Sequence, residues 1–401
     1  MNIPKLPDDV KYILNKLHTN GYEGYIVGGC VRDAIMGIPP HDWDMTTSAK
    51  PEEVKSIFSH TFDTGIKHGT VTVVLNKNNY EITTYRIEGE YDDCRHPNDV
   101  SFTTDLHEDL LRRDFTMNAI AYNDEEGYVD IFGGIGDIDK CVIKGVGEAE
   151  ERFREDALRM LRAVRFSAQL GFEIEEKTKQ ALIDNCALIE KISAERIREE
   201  ITKLLMSKHS EKAVFLWETG LLKHISEEID MSVKGHEEEV ISSLKLSVKN
   251  VSVLFALFLR FVKAERVKDI MKDLRFDTKT LKETDIICRY MDKNVPESRV
   301  EIRKMASEMG KDNFALYLEA KKACGDALAE NAQKELADII EKNECLTIKE
   351  LAVTGDDIKA LGVKDGKKIG EILKAMLNTV LENPELNSKE KLTDIIKSNL
   401  E

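Results

Sequence analysis

Tyr25-Ile26-Val27-Gly28-Gly29-Cys30-Val31-Arg32-Asp33-Ala34-Ile35-Met36-Gly37, followed shortly by Asp42-Trp43-Asp44-Met45-Thr46-Thr47, decides how the first part of this chain folds. An apolar run entering two glycines reads as a strand followed by a tight turn, and the stretch from Cys30 to Gly37 reads as a short helix closed by glycine. Glycines let the backbone approach a phosphate, the helix start offers N–H donors, and Arg32 adds a cation. Asp42 and Asp44 stand two apart in a segment that reads as a strand, so both carboxylates leave one face. Nothing basic separates them. A divalent cation relieves their repulsion, and oxygen ligands with room for phosphate point to Mg²⁺.

Around this stretch, Val71-Thr72-Val73-Val74-Leu75 and Tyr80-Glu81-Ile82-Thr83-Thr84-Tyr85 read as further strands of one mixed sheet. No proline occurs between Pro97 and Pro296, and after Gly147 the pattern turns to helical periodicity rich in Glu, Lys, Leu, Ala and Arg. The expected architecture is an α/β head over residues 1–147, a helical neck over 148–206, a helical body over 207–310 and a helical tail over 311–401. The chain of 401 residues is long enough for several domains. No apolar run approaches the roughly 18 residues of a membrane span. Seven scattered cysteines without a Cys-x-x-Cys pair point away from structural zinc and toward a reducing cytoplasm. A formal charge of −16 argues against general coating of nucleic acid, although a basic seam can sit on an acidic body.

Two arginine-rich stretches carry more chemistry. Arg112-Arg113-Asp114-Phe115-Thr116-Met117-Asn118 reads as a helix start. There Arg113 can bind a triphosphate while Asp114 and Asn118 hydrogen-bond ribose hydroxyls; the plainer alternative is a helix cap among surface charges. Glu150 to Gly171 reads as one helix on which Asp156, Arg159, Arg162 and Arg165 recur at three-residue steps. A salt-bridged solvated face is one account of that stripe. The other is base reading. Cytosine and adenine share an exocyclic amino donor that Asp156 can accept and a neighbouring ring nitrogen to which Arg159 can donate, whereas uracil and guanine carry carbonyls instead.

Gly28-Gly29-Cys30-Val31-Arg32-Asp33 with Asp42-Trp43-Asp44, Arg112-Arg113-Asp114, and Glu155-Asp156-Ala157-Leu158-Arg159 together resemble the motifs of class II tRNA nucleotidyltransferases, the CCA-adding enzymes, within the tRNA nucleotidyltransferase/poly(A) polymerase family. The resemblance covers roughly residues 20–205. It implies a polymerase-β-like head, with Asp42 and Asp44 as catalytic metal ligands for Mg²⁺ and Glu81 as a third catalytic carboxylate. It places Gly29, Arg32, Arg113, Asp114, Asn118, Asp156, Arg159, Arg162 and Arg165 at the nucleotide. The implied reaction is template-independent addition of CMP and AMP from CTP and ATP to the 3′ end of tRNA, with release of pyrophosphate and no obligate protein partner. An A-adding enzyme or poly(A) polymerase of the same family is the alternative enzyme, and an inactive RNA-binding protein the alternative outside catalysis.

The polar stretch from Arg86 to Thr104 looks like the flexible loop that CCA-adding enzymes keep. Gly133-Gly134-Ile135-Gly136-Asp137 resembles the hinge between head and neck, and Ile192 to Ile201 the last neck motif, read as architecture. Some relatives carry a His-Asp phosphohydrolase domain; the single His-Asp pair here is His41-Asp42, so no hydrolase activity is expected. In the tail, Leu361 to Gly370 offers a helix start and lysines to RNA phosphates.

Overall fold

The computed structural model describes residues 5–89 and 100–400. It divides into two compact units, Met1–Met231 and Ser232–Glu401. The expected head and neck both fall in the first unit, whose end lies inside the stretch expected as the body. The reason is packing after residue 206: Leu221 and Leu222 are fully buried, Lys179 pairs with Glu218 at 2.6 Å, and the His209 N–H donates to the Ala168 carbonyl at 3.0 Å.

Seven strands form the head sheet: β1 (Gly24–Val27), β2 (Met45–Thr47), β3 (Thr61–Gly65), β4 (Thr70–Leu75), β5 (Asn78–Thr84), β8 (Ala121–Asn123) and β9 (Gly127–Val129), in the order β3-β4-β5-β2-β1-β8-β9. β2 and β5 run parallel, with Met45 opposite Ile82, and the remaining neighbours are antiparallel, so the sheet is mixed as its sequence pattern predicts. Period-two burial in β5, with Tyr80, Ile82 and Thr84 inward, fixes its register. The β4–β5 hairpin turns on Asn76 and Lys77, at φ 51° and 69°, the left-handed pair a two-residue hairpin needs. Within the stretch from Arg86 to Thr104, expected as a flexible loop, both ends pair as a separate hairpin, β6 (Arg86–Glu88) with β7 (Val100–Phe102), and residues 90–99 lie outside the described ones.

Three local expectations are corrected. The strand expected from Asp42 begins only at Met45, because β1 ends at Val27, whose N–H takes the Asp44 carbonyl at 3.0 Å; β1 offers no partner to residues before Asp44. Arg112-Arg113-Asp114 does not start a helix but follows the end of Leu106–Leu111, and a 3₁₀ turn, Thr116–Asn118, comes next. The helix expected from Glu150 to Gly171 is two helices, Ala149–Glu155 and Leu158–Leu170. The break is at Asp156, extended at φ −134° and ψ 101°, whose carboxylate accepts from the Leu158 N–H at 3.1 Å. A short acidic side chain that bonds the backbone two residues on competes with helix continuation.

Gly134 in the expected hinge is a close-packing position: a Cβ there would stand 2.1 Å from the Thr116 carbonyl oxygen. In the second unit the helix Val251–Phe258 is buried on nearly every side, as a sequence apolar at every position but Ser252 demands, and Ser252 donates to Glu283 at 2.7 Å. Buried Arg303 donates to the Leu381 carbonyl at 2.6 Å and closes the end of the helix Gly366–Glu382. At that helix's start, Asp365 accepts from the Lys367 N–H at 2.9 Å and so occupies one of the donors expected to face phosphate.

Candidate active site

A cavity of about 780 Å³ opens in the first unit, and it gathers residues from five stretches of sequence. Gly28, Gly29 and Arg32 come from the glycine turn; Asp42 and Asp44 from the approach to β2; Arg112, Arg113, Asp114 and Asn118 from the segment before β8. Asp156, Arg159, Arg162, Arg165, Phe166 and Lys203 come from the helical part. Seven lining cations face four carboxylates, a basic seam on an acidic chain. Every expected site residue except Glu81 lines it.

The glycine turn is shaped as a cradle. Gly28, at φ +80°, sits directly before the helix Gly29–Ile35, and a Cβ on it would stand 3.4 Å from Arg113 Nη1. The positive φ is what requires glycine here, and Arg113 lies in van der Waals reach of the turn. Asp42 and Asp44 face the open side. No hydrogen bond or ion pair of the described side chains engages either carboxylate. Crowding by surrounding protein raises the Asp44 pKa, Asp42 adds to the rise, and Arg113 opposes it. Two adjacent unpaired oxygen-donor groups at the edge of a phosphate-sized cradle fit a hard divalent cation.

Glu81 is exposed on β5 and does not line the cavity. The β2–β5 register, continued one step back from Met45 and Ile82, sets it opposite Asp44. Another group of metal-capable side chains, Asp105, His107 and Glu108, has ligand atoms within 4.8 Å of one another, but the Asp105 carboxylate already caps the His107 N–H.

A continuous polar chain crosses the cavity floor. Arg32 pairs with Asp33 and donates to Asn118 Oδ1 at 2.7 Å; Asn118 donates to Asp114 Oδ1 at 3.1 Å; Asp114 Oδ2 accepts from Arg162 Nε and Nη2 at 2.8 and 2.6 Å. Burial pushes the Asp114 carboxyl up, but Arg162, the Asn118 hydrogen bond and Arg159 together outweigh it and hold the pKa at about 2. This carboxylate is ionised at any physiological pH. Arg165 is salt-bridged to buried Glu200 and lies over the Phe166 ring at 3.9 Å.

The break at Asp156 shapes the far wall. Leaving the helix frees the Asp156 carboxylate to meet Arg196 side by side, Oδ1 to Nη1 at 3.3 Å and Oδ2 to Nη2 at 2.9 Å. Arg159 is fixed separately, by Glu155 at 2.7 Å and the Arg112 carbonyl at 2.8 Å. The surface-helix account of this stripe does not hold: Arg159 and Arg165 are buried, and all four residues line the cavity. The helix Ala194–Leu205, read from sequence as architecture, does bury Ile197 and Ile201, but its Arg196, Glu200 and Lys203 recur at helical spacing toward the site. Sequence reasoning missed Arg196, Phe166 and Lys203; the spacing of 196, 200 and 203 on one helix face was the available signal.

A mixed-sheet head that sets a glycine turn, an aspartate pair and arginines around one cavity defines a nucleotidyltransferase of the poly A polymerase type. The chain matches the poly A polymerase head domain over residues 24–144, the RNA and SrmB-binding site of polymerase A over 171–232, and tRNA nucleotidyltransferase domain 2 over 246–396. It is 38% identical over 392 residues to a CCA-adding enzyme of Lactobacillus delbrueckii subsp. bulgaricus, covering 96% of each chain, and 37% identical to one of Lactiplantibacillus plantarum, covering 99% and 98%. The crystal structure of the Bacillus stearothermophilus CCA-adding enzyme in complex with CTP superposes with a TM-score of 0.82 at 33% identity, covering 97% of this chain and 96% of that one. The chain therefore belongs to the tRNA nucleotidyltransferase/poly(A) polymerase family, and within it to the CCA-adding enzymes. Among the described residues no helix is long and apolar enough to cross a membrane.

Proposed function

We propose that this enzyme adds CMP and AMP from CTP and ATP to the 3′ end of tRNA, building CCA without a nucleic-acid template. The carrying observation is that one cavity holds the phosphate cradle, the free aspartate pair and the Asp156–Arg159 wall. In the reaction the terminal hydroxyl oxygen attacks the α-phosphorus, a new P–O bond forms, the bond to the β-phosphate oxygen breaks, and pyrophosphate leaves as the hydroxyl proton passes to solvent. Gly29 and Arg32 receive the triphosphate with Arg113, whose guanidinium stands over the glycine turn. Asp114 and Asn118 hydrogen-bond the ribose. Arg162 and Arg165 line the nucleotide's flank, and Asp156 with Arg159 reads the base edge.

Asp42 and Asp44 would hold Mg²⁺, which lowers the pKa of the attacking hydroxyl and neutralises the triphosphate. Glu81, opposite Asp44 in the β2–β5 register, is assigned as a further carboxylate for that site. The tail over residues 311–401 is assigned to tRNA. A cytoplasmic location is part of the same proposal, supported by six described cysteines that are all free thiols. Incubating the protein with tRNA that ends before CCA, and offering CTP, ATP or both, tests the function. Both nucleotides together should give a defined CCA end. Addition from ATP alone, or an open-ended A tail, would assign the chain to the other branch of its family.

A further inference from the structure

Asp109 is the least exposed charged side chain among the described residues, at 0%, and the sequence alone gives it no role. It sits on the helix Leu106–Leu111 beside fully buried Leu110, on the face that packs into the protein. Its Oδ1 accepts from Arg112 Nε and Nη2 at 3.0 and 2.7 Å. Its Oδ2 accepts from Arg113 Nη2 at 3.1 Å and from the Thr46 hydroxyl, two residues after Asp44, at 3.2 Å.

A buried ion pair is weak as a source of stability, since desolvation cancels much of its Coulomb gain, and an apolar residue would pack the same space. What a carboxylate supplies here is direction. Arg113 uses Nη2 to hold Asp109, which turns Nη1 toward Gly28, while its buried Nε has no hydrogen-bond partner. The guanidinium is thus anchored at its rear and presented to the phosphate cradle. Through Thr46 the same carboxylate ties that arginine to β2, which begins directly after Asp44.

We propose that Asp109 is a positioning residue for nucleotide binding: it aims Arg113 at the triphosphate and fixes its distance from the aspartate pair. This rests on the nucleotide-binding reading of Arg113. Because the triphosphate is common to both substrates, the effect falls equally on CTP and ATP and leaves base choice alone.

Steady-state incorporation is measured for Asp109→Asn in the wild-type and Arg113→Met backgrounds, with Thr46→Val as a milder variant that keeps the buried charges. Asp109→Asn should raise KM for CTP and ATP together by about 10- to 100-fold, the worth of one charge-assisted hydrogen bond. Thr46→Val should raise both KM values in the same direction by about two- to tenfold, less than a full charge-assisted hydrogen bond because the one hydroxyl proton is shared between Asp109 and the Thr83 carbonyl at 3.1 Å. In the Arg113→Met background the Asp109→Asn change should add nothing. An equal KM increase in that background would mean that Asp109 acts independently of Arg113 and would overturn the proposal. A raised KM in Arg113→Met beside unchanged values in both Asp109→Asn and Thr46→Val would overturn it alone. An unchanged KM in Arg113→Met would overturn the reading of Arg113 as well.

Discussion

Replacing Asp114 with asparagine tests whether the polar chain on the cavity floor is one cooperative unit. The amide would keep a carbonyl oxygen for the Phe115 N–H, at 2.8 Å in the present structure, and for Asn118 at 3.1 Å. Its NH₂ group would then face Arg162 Nε and Nη2, donor against donor, where Asp114 Oδ2 now accepts two short charged bonds. Charge-assisted hydrogen bonds are worth about 1.5–3 kcal/mol each, and breaking a buried ion pair costs about 3–5 kcal/mol. Arg162 keeps 34% of its side chain exposed, so water repairs part of the loss and about 2–4 kcal/mol is expected. Both tryptophans, Trp43 and Trp217, lie in the first unit, so urea unfolding followed by their fluorescence reports on that unit alone.

The pH dependence has a definite sign. The folded pKa, about 2, is below the ordinary value of 3.8, so the Asp114 contribution is fully present above about pH 4 and is lost as pH falls toward 2. The gap between wild type and mutant should narrow over that window. A destabilisation below about 1 kcal/mol at pH 7, with KM for CTP unchanged, would refute the claim that Asp114 organises the site.

Asp42→Ala and Asp44→Ala should each abolish incorporation while the unfolding midpoint stays level or rises, because either change removes like-charge repulsion and opens no core; near wild-type turnover with Mg²⁺ would contradict the assignment. Deleting about ten residues between Arg86 and Thr104, a loop longer than a plain connector needs, should leave products ending in CC, as measured by sequencing the 3′ ends; equal loss of C and A addition would reduce the loop to support. Arg196→Met should loosen the Asp156 carboxylate, so that the CMP-to-UMP incorporation ratio falls while the KM for pyrophosphate in the reverse reaction is unaltered. An unaltered ratio would make Arg196 purely structural.

The head is legible in the sequence because its signals are local. Glycines at 28 and 29 after an apolar run, and period-two burial in β5, fix turn and strand with little help from the rest of the fold. Asp42 and Asp44 are legible for the same reason, being unpaired charges close in sequence. The break at Asp156 is not. Glu150 to Gly171 has no proline and is rich in helix formers; the bond from Asp156 to the Leu158 N–H is one that a mid-helix aspartate need not make, and here Arg196, forty residues away, holds the same carboxylate outside the helix. For Arg112 and Arg113 the sequence points to the right place but the wrong local structure: both arginines fold back onto Asp109 of the preceding helix, and that carboxylate is in turn held by Thr46, sixty-three residues away. Burial decides the arginine stripe: spacing alone suits a solvated face and a ligand wall equally well.

The most direct test of the account is single-nucleotide incorporation with each of the four NTPs by Asp156→Asn. Asp156 Oδ1 accepts from both the Leu158 N–H and Arg196, so an asparagine there keeps its carbonyl at that position and sets its NH₂ at the Oδ2 position, where it repels Arg196 Nη2 and offers a donor to the base edge. The acceptor that meets the amino group of cytosine or adenine becomes a donor suited to the carbonyl of uracil. A good base contact carries about 1–3 kcal/mol of discrimination, roughly 5- to 150-fold. The account predicts that CMP and AMP incorporation fall together while UMP incorporation rises relative to them by a factor in that range. An unchanged order of preference among the four nucleotides, at any overall rate, would contradict it.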